Sequence, residues 1–393
     1  NGAVPISLVS MYYDTLSNVD KVEETYFGGT MRTFSATFDN DGNRLTLGYP
    51  SGRTISTDPD AINRLTAVRE GATTIASYQW AGGRVAKRAY LNGINLEVTY
   101  NAVKDATLWA NKLGGADVAT FGYAHDKVHN RKYESRVHDA KGNVYGRNGR
   151  YEENGFKYGV PIADLDPTKS YGDYLTFDRQ QTMDYDGVGN RKTMVDAITG
   201  GATDTYEYNR PAGGGAYAAD SVNRIYRVRK NGVDQDFTYA NGNPTSDGTY
   251  AFSYDYKNRL IETRLVSDGS LVQGNNYNCF DIRIVKDFDG TANDVYFYTD
   301  GPRVVEERDT SGTVLATYVH GDWIDEVLTM DRGGSTFFYS QQALYSVVHI
   351  SDALGNNAEK MQYDGFGKPT VYHWIPAVVG GGGTWNAVSA SLI

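Results

Sequence analysis

An all-β chain, built from short hairpins repeated in series, is the fold class this sequence predicts. Three observations predict it. Tyrosine dominates the aromatic residues, 31 against 14 Phe and 5 Trp, and 44 Gly stand beside only 10 Pro. Many Tyr and Gly with few long aliphatic runs suit short strands and tight turns. A phrase also keeps returning: FDNDGNRL at 38–45, YDGVGNRK at 185–192, YDYKNRL at 254–260 and YDGFGKP at 363–369. Finally, tyrosines that close such strands fall at 185, 208, 239, 254, 277, 296, 318, 339 and 363, in steps of 15 to 31 residues. A period of about 22 residues is too short for a helix-pair repeat, which needs about 33 or more, and fits two strands with two turns.

The segments read accordingly. Asn101 to Leu113 (NAVKDATLWANKL) is the best helical candidate, although it lacks a clean apolar face. Arg303 to Arg308 is strand-like, Asp309 to Thr313 turns, and Val314 to Val319 returns. Further on, Ser346 to Ile350 goes out, Asp352 to Asn356 turns, and Glu359 to Tyr363 comes back. Gly and Asn stand where a hairpin needs positive φ. The runs Gly213-Gly214-Gly215 and Gly380-Gly381-Gly382-Gly383 mark loops or a flexible linker, with no following Lys-Ser/Thr to make a phosphate site.

Each position of the repeated phrase has a structural task. The signature residues are Tyr185, Asp186, Gly189, Asn190 and Arg191, then Tyr254, Asp255, Asn258 and Arg259, then Tyr363, Asp364 and Gly367. Tyr is expected to pack its ring against the ring one repeat away, with its hydroxyl reaching water or backbone. Asp accepts a backbone N–H in the turn. Gly or Asn supplies the left-handed residue. Asn-Arg recurs at 43–44, 63–64, 130–131, 190–191, 223–224 and 258–259. An Arg there pairs with an Asp of a neighbouring hairpin or stacks on a Tyr.

Composition removes several function classes. The balance of 48 acidic against 38 basic residues is −10, with no basic stripe, which argues against nucleic acid as a partner. The single cysteine, Cys279, makes no intramolecular disulfide and is expected to be a buried structural thiol. No run of about 18 apolar residues exists to span a membrane. The start Asn1-Gly2-Ala3 reads as a processed or excised piece of something longer.

These residues resemble the RHS-repeat, or YD-repeat, family. The resemblance covers residues 1–372, is clearest over 183–372, and leaves 373–393 as a Gly-rich tail. Its best stretch is YVHGDWIDEVLTMDRGG with FFYSQQALYSVVHISDALGNNAEKMQYDGFGKPTVY, within Tyr318 to Tyr372. The resemblance implies one long sheet of hairpins that spirals into a hollow shell, as in bacterial RHS proteins, insecticidal toxin-complex subunits and animal teneurins. In bacterial secreted members such a shell encloses a C-terminal toxin. Two departures stand out. The Tyr- and Arg-rich core and the Asp-Pro-x-Gly-Leu junction of the family do not follow, so no autoprotease residues are assigned. Two copies are eroded: YNCFDIRIVK at 277–286, and ALYSVV at 343–348 with Tyr345 where the family has Gly.

The remaining residues offer few candidates for reactive chemistry. His125-x-x-x-His129 has helical metal spacing but sits in a strand-and-turn segment, which does not build a zinc site. Asp39 to Asn43 and Asp287 to Gly290 resemble calcium-loop fragments, yet neither completes a twelve-residue loop, and turn chemistry explains them. Asp322, Asp325 and Glu326, or Asp164 and Asp166, are possible paired carboxylates with nothing to rank them. Trp80, Trp109, Trp323, Trp374 and Trp385 read as core or lining residues.

The expected function is non-enzymatic: a scaffold that encloses or displays a polypeptide cargo, or the rest of a longer chain, in a secreted or surface bacterial protein. No cofactor or metal is expected. Two alternatives stay open. One is an adhesion or self-associating module that pairs through sheet edges. The other is a carbohydrate-binding or carbohydrate-active protein, with exposed Trp near paired acids.

Overall fold

A computed structural model describes residues 7–26, 29–196, 203–208, 211–212, 216–217, 224–230, 232–287, 294–376 and 383–391. The Gly213-Gly214-Gly215 run, Asn223, the 288–290 part of the second acidic turn and Gly380 to Gly382 lie outside the described residues. Among the described residues nearly all regular structure is strand, as the hairpin grammar requires. Their strands are distributed over antiparallel sheets of 19 and 15 strands and one two-stranded ladder. The chain divides into two compact units, residues 1–121 with 276–287 and 292–393, and residues 122–275 with 288–291.

The turns explain why strand follows strand. In YDGVGN, the Asp186 Oδ1 accepts the Val188 and Asn190 amides, both at 2.9 Å, and Oδ2 accepts the Asn190 Nδ2 at 2.9 Å. The Asp186 N–H donates to the Asn190 carbonyl and the Gly189 N–H to the Asp186 carbonyl. Gly189 has φ 89°. This is a type I turn closed by a left-handed residue, a three-residue hairpin loop. Loops with the same two backbone hydrogen bonds begin at 14, 39, 49, 60, 101, 126, 148, 186, 255, 278, 309, 342, 352 and 364.

Side chains at the left-handed position vary more than the motif suggests. Gly fills it in six of these loops, at 42, 52, 189, 312, 355 and 367; Ser17, Asn63, Lys104, His129, Tyr151, Asn258, Asp281 and Tyr345 fill it in the others, with φ between 59° and 72°. The eroded copies therefore keep the loop. Asn278 takes the Asp position, accepting the Phe280 and Ile282 amides at 3.0 and 3.1 Å. The same disguise explains why 101–113 offered the best helical candidate. Asn101 and Lys104, φ 72°, form a loop, and Ala106–Leu113 is a strand paired with Ile94–Tyr100. Cys279 is also corrected. It is exposed, because it is the second residue of the 278–282 loop.

In the first unit, the strands from Ser7–Tyr13 to Ala106–Leu113 pair in series, as do those from Arg283–Asp287 to Gly383–Val388. The two ladders share one core. Val68, Ala76 and Ile94 of the first join Ile284, Val305, Val319, Leu328 and Phe338 of the second. Strand periodicity selects them: Ile94, Leu96 and Val98 are buried, while the alternating Glu97 and Thr99 are exposed. Burying one such aliphatic side chain is worth about 1.5–3 kcal/mol.

Tyrosine hydroxyls tie the ladders together. Tyr26, Tyr49 and Tyr90 donate to the carbonyls of Phe297, Tyr318 and Tyr339 at 3.2, 2.7 and 2.7 Å. The acceptors are 21 residues apart, 318 − 297 and 339 − 318, so each repeat contributes one rung.

The second unit has its own strand series, from Arg131–Arg136 through Val233–Asp236 and then Thr238–Ala240 to Leu260–Leu265. Val144, Val160 and Tyr174 form a small core, covered by Tyr133, Leu165, Tyr171 and Phe177. Tyr171 lies flat on Gly146 and Gly155, where an added Cβ would meet its ring at 2.9 and 2.6 Å.

Candidate functional site

The signature residues sit in loops and on the strands that enter them. Tyr185 donates to the Glu153 carbonyl at 2.5 Å and Tyr363 to the Val347 carbonyl at 2.6 Å. Each reaches back to an earlier strand, so the hydroxyl links one hairpin to the one before it. Asp255 accepts the Lys257 and Arg259 amides at 2.9 and 3.0 Å, and Arg259 Nε closes on its Oδ2 at 2.7 Å. Asn258 takes Gly's place with φ 62°, and its Oδ1 accepts Asn243 Nδ2 at 2.9 Å. Asp364 accepts the Phe366 and Lys368 amides, both at 2.9 Å, with Gly367 at φ 81°. Arg191 stacks on Tyr206 at 4.2 Å. Arg44 instead reaches Asp300 at 2.7 Å, and Arg64 turns back to Asp60 of its own loop. None of this is reactive chemistry. Side-chain hydrogen bonds from Asn43 to Asp39 and from Arg64 to Asp60 hold both loop carboxyls below their ordinary range.

One cluster in the first unit is different. Arg88 and Glu326 form an ion pair with both side chains 1% exposed. Arg88 Nη2 donates to Gln341 Oε1 at 2.9 Å, and Gln341 Nε2 donates to the Val327 carbonyl at 2.8 Å. Tyr78 Oη donates to Glu326 Oε1 at 3.1 Å, and the Trp323 amide to Oε2 at 3.1 Å. Tyr90 places its ring 4.7 Å from the guanidinium. Gly321 makes room for all this: a Cβ there would lie 2.4 Å from both Glu326 Oε2 and Tyr78 Oη.

Beside the pair opens a cavity of about 280 Å³, lined by Trp80, Arg84, Tyr100, Trp109, Asp322, Trp323, Glu326 and Tyr345 among others. Trp323 stacks on Tyr345, centroids 5.7 Å apart and planes 16° apart, and Trp109 meets Tyr345 edge-on at 5.8 Å. Trp109 is buried, and its Nε1–H has no acceptor among the described residues. Burial, reinforced by the Glu326 charge, raises the Asp322 carboxyl, with Arg303 opposing. The structure thus ranks the acids that sequence left unranked. Glu326 is consumed by Arg88, Asp322 faces the cavity, Asp325 is not in its wall, and Asp166 accepts the Thr168 amide in a turn of the other unit.

Trp323 is a lining residue, as expected, and is 55% exposed. Trp374 and Trp385 pair across two strands at 4.8 Å, outside this cavity. His129 is the left-handed residue of the 126–130 loop and His125 ends the strand before it. Among the described residues no three His, Cys, Asp or Glu groups converge on a metal position. No helix among them is long and apolar enough to cross a membrane.

Known proteins place the fold. No family model matches the chain. A chain of the Photorhabdus luminescens Tc holotoxin pore superposes with a TM-score of 0.70 at 13% identity, covering 93% of this chain and 20% of that one. A chain of the TcdB2-TccC3-TEV crystal structure gives 0.71 at 14%, covering 96% and 20%. The fold is that of the RHS/YD-repeat shells. By sequence, the tRNA3(Ser)-specific nuclease WapA of Bacillus spizizenii is 28% identical over 186 residues, and the tRNA nuclease WapA of Bacillus subtilis 27% over 186. Each alignment covers 47% of this chain and 7% of the relative, so the chain spans a small fraction of those proteins.

Proposed function

We propose that this chain is a non-catalytic YD-repeat scaffold, part of a larger secreted or cell-surface bacterial protein, that encloses or displays a polypeptide cargo. One observation carries the reading: the repeated residues are spent on loops and rungs. Asp closes the turn, Tyr binds the neighbouring strand, and no signature side chain is left pointing at a reacting group. The likeness to chains of a toxin complex supports a toxin-associated role. The nuclease names of the WapA proteins belong to proteins of which this chain matches 7%, and the reading assigns any such activity to cargo rather than to the repeats.

Single-particle imaging of the protein purified from its source tests this. The expected result is a sheet that surrounds density continuous with the same polypeptide or a partner. A sheet that runs from one molecule into the next would replace the scaffold reading with a self-assembling filament. Incubating the 393-residue chain with tRNA is the companion assay, and intact tRNA is expected.

A further inference from the structure

We propose that a second cavity of the first unit binds a small amphiphilic primary amine, an apolar chain or ring that carries one alkylammonium group. The inference goes beyond the scaffold reading and does not depend on it. The cavity holds about 400 Å³, inside the range of about 300–1,000 Å³ for small-molecule sites. All of its walls belong to the first unit. They come from the strands Ser7–Tyr13, Val19–Tyr26, Arg32–Phe38 and Arg44–Gly48, and are completed by the 278–282 loop and by Thr299 to Gly301.

The lining calls for an apolar body. Val22 stands opposite Met11 on one side and Phe34 on the other, so the three share one face of the sheet. Leu47, opposite Ala36, continues that face, and Phe280 and Ile282 come from the loop. Phe34 and Leu47 are buried, whereas Met11 and Phe280 are 40% and 52% exposed. The apolar wall therefore runs from a closed interior to an open rim.

Glu24 selects the head group. It shares the face of Val22 by strand alternation, lines the cavity and is 4% exposed. Its Oε2 accepts the Tyr26 hydroxyl at 2.6 Å, while Oε1 accepts no hydrogen bond among the described residues. Nor is Oε1 sealed from solvent, unlike the unpartnered Trp109 Nε1. A reachable carboxylate oxygen without a donor, set in an apolar wall, is satisfied by the N–H of an ammonium. Burial raises the Glu24 carboxyl against the Tyr26 hydrogen bond, and a bound cation would supply a counter-charge.

Charge points the same way. Asp20, Glu24 and Asp300 line the cavity against Lys21 and Arg44, an excess of one negative charge. Both cations are engaged, Lys21 with Glu23 at 3.0 Å and Arg44 with Asp300 at 2.7 Å. A fatty acid or a phosphate ester would meet that excess with no uncommitted cation in the wall to hold it. A quaternary ammonium would bring charge but no N–H for Oε1. A neutral alcohol would bring the donor and leave the charge unanswered.

The test is titration of the 393-residue chain labelled with 13C at its methionine methyls, followed at Met11, the one methionine of the cavity wall. Octylamine and phenethylamine are the amine probes; octanol and octanoate carry the same chain on other heads. Both amines are expected to shift the Met11 signal saturably, octanol to bind about tenfold more weakly or worse, and octanoate to leave the signal in place. Glu24→Gln keeps the shape and an acceptor for Tyr26. It should weaken the amines about tenfold or more, the loss of one charge-assisted contact, and leave octanol within about twofold. Ala36→Leu fills the cavity from the Phe34 face and should weaken every probe that binds; should Glu24→Gln fail to fold, this variant carries the test. A Met11 signal unmoved by both amines, octanol or octanoate binding as tightly as octylamine, or amine affinity unchanged in either variant would overturn the proposal.

Discussion

Replacing Glu326 with Gln tests the energetic reading of the first unit most directly. The substitution keeps the shape and removes the charge. Arg88 would then remain fully buried, facing only the neutral Gln341 Oε1 and the Tyr90 ring. Breaking a buried ion pair from one side costs about 3–5 kcal/mol, because the surviving charge cannot be rehydrated. In a unit of this size about 1 kcal/mol moves the midpoint by about 2–4 °C, so a fall of about 6–20 °C is expected. Scanning calorimetry of wild type, Glu326→Gln, Arg88→Met and the double variant reads it. The double variant should recover much of the loss, since replacing both charges with neutral groups is often close to neutral. A Glu326→Gln midpoint within 2 °C of wild type, about 1 kcal/mol or less, would refute the reasoning and mean that water reaches the pair.

Four further outcomes are expected. Leu328→Ala, at a fully buried core position, should destabilise by about 2–5 kcal/mol in chemical denaturation. Gly155→Ala should cost about 1–3 kcal/mol, because the new Cβ would press into the Tyr171 ring, and Tyr171→Ala should suppress that penalty in a double-mutant cycle. Native Cys279 should react fully with a maleimide at neutral pH without unfolding. The loop carboxyls Asp14, Asp39, Asp60 and Asp309 are held low by side-chain hydrogen bonds from Asn18, Asn43, Arg64 and Ser311. Their stabilisation is complete above the usual carboxylate value of about 4 and is lost as pH falls through their lower folded values, so the thermal midpoint should drop steeply below about pH 4. Glu24 and Glu134, raised by burial, act in the opposite sense.

The loops were readable in the sequence because the hydrogen bonds that close them fall within five residues. Asp186 takes the Val188 and Asn190 amides of its own loop. Where the same geometry uses other residues, reading failed. Asn101 and Lys104 stand in for Asp and Gly, which left the following strand looking helical. Phe280 and Cys279 lie in a loop whose Asp and Gly positions hold Asn278 and Asp281. The cavity was out of reach for a different reason. Its walls come from 80–109 and 322–345, and Arg88 lies 238 residues from Glu326. Nothing in local spacing encodes such a pairing. Tyr345 was the one visible trace, an aromatic where a turn wants Gly.

The rungs of the first unit also set an order of assembly. Neighbouring hairpins need only nearby contacts, so each ladder can zip up as it leaves the ribosome. Tyr26, Tyr49 and Tyr90, however, wait for carbonyls 271, 269 and 249 residues downstream. Until the later ladder exists, the earlier one shows an uncovered apolar face, with Val68, Ile75 and Ile94 open to water. A nascent chain stalled before residue 283 should therefore bind a hydrophobic dye or a holdase that the finished protein ignores, and the interval between the two ladders is when this molecule most needs a chaperone.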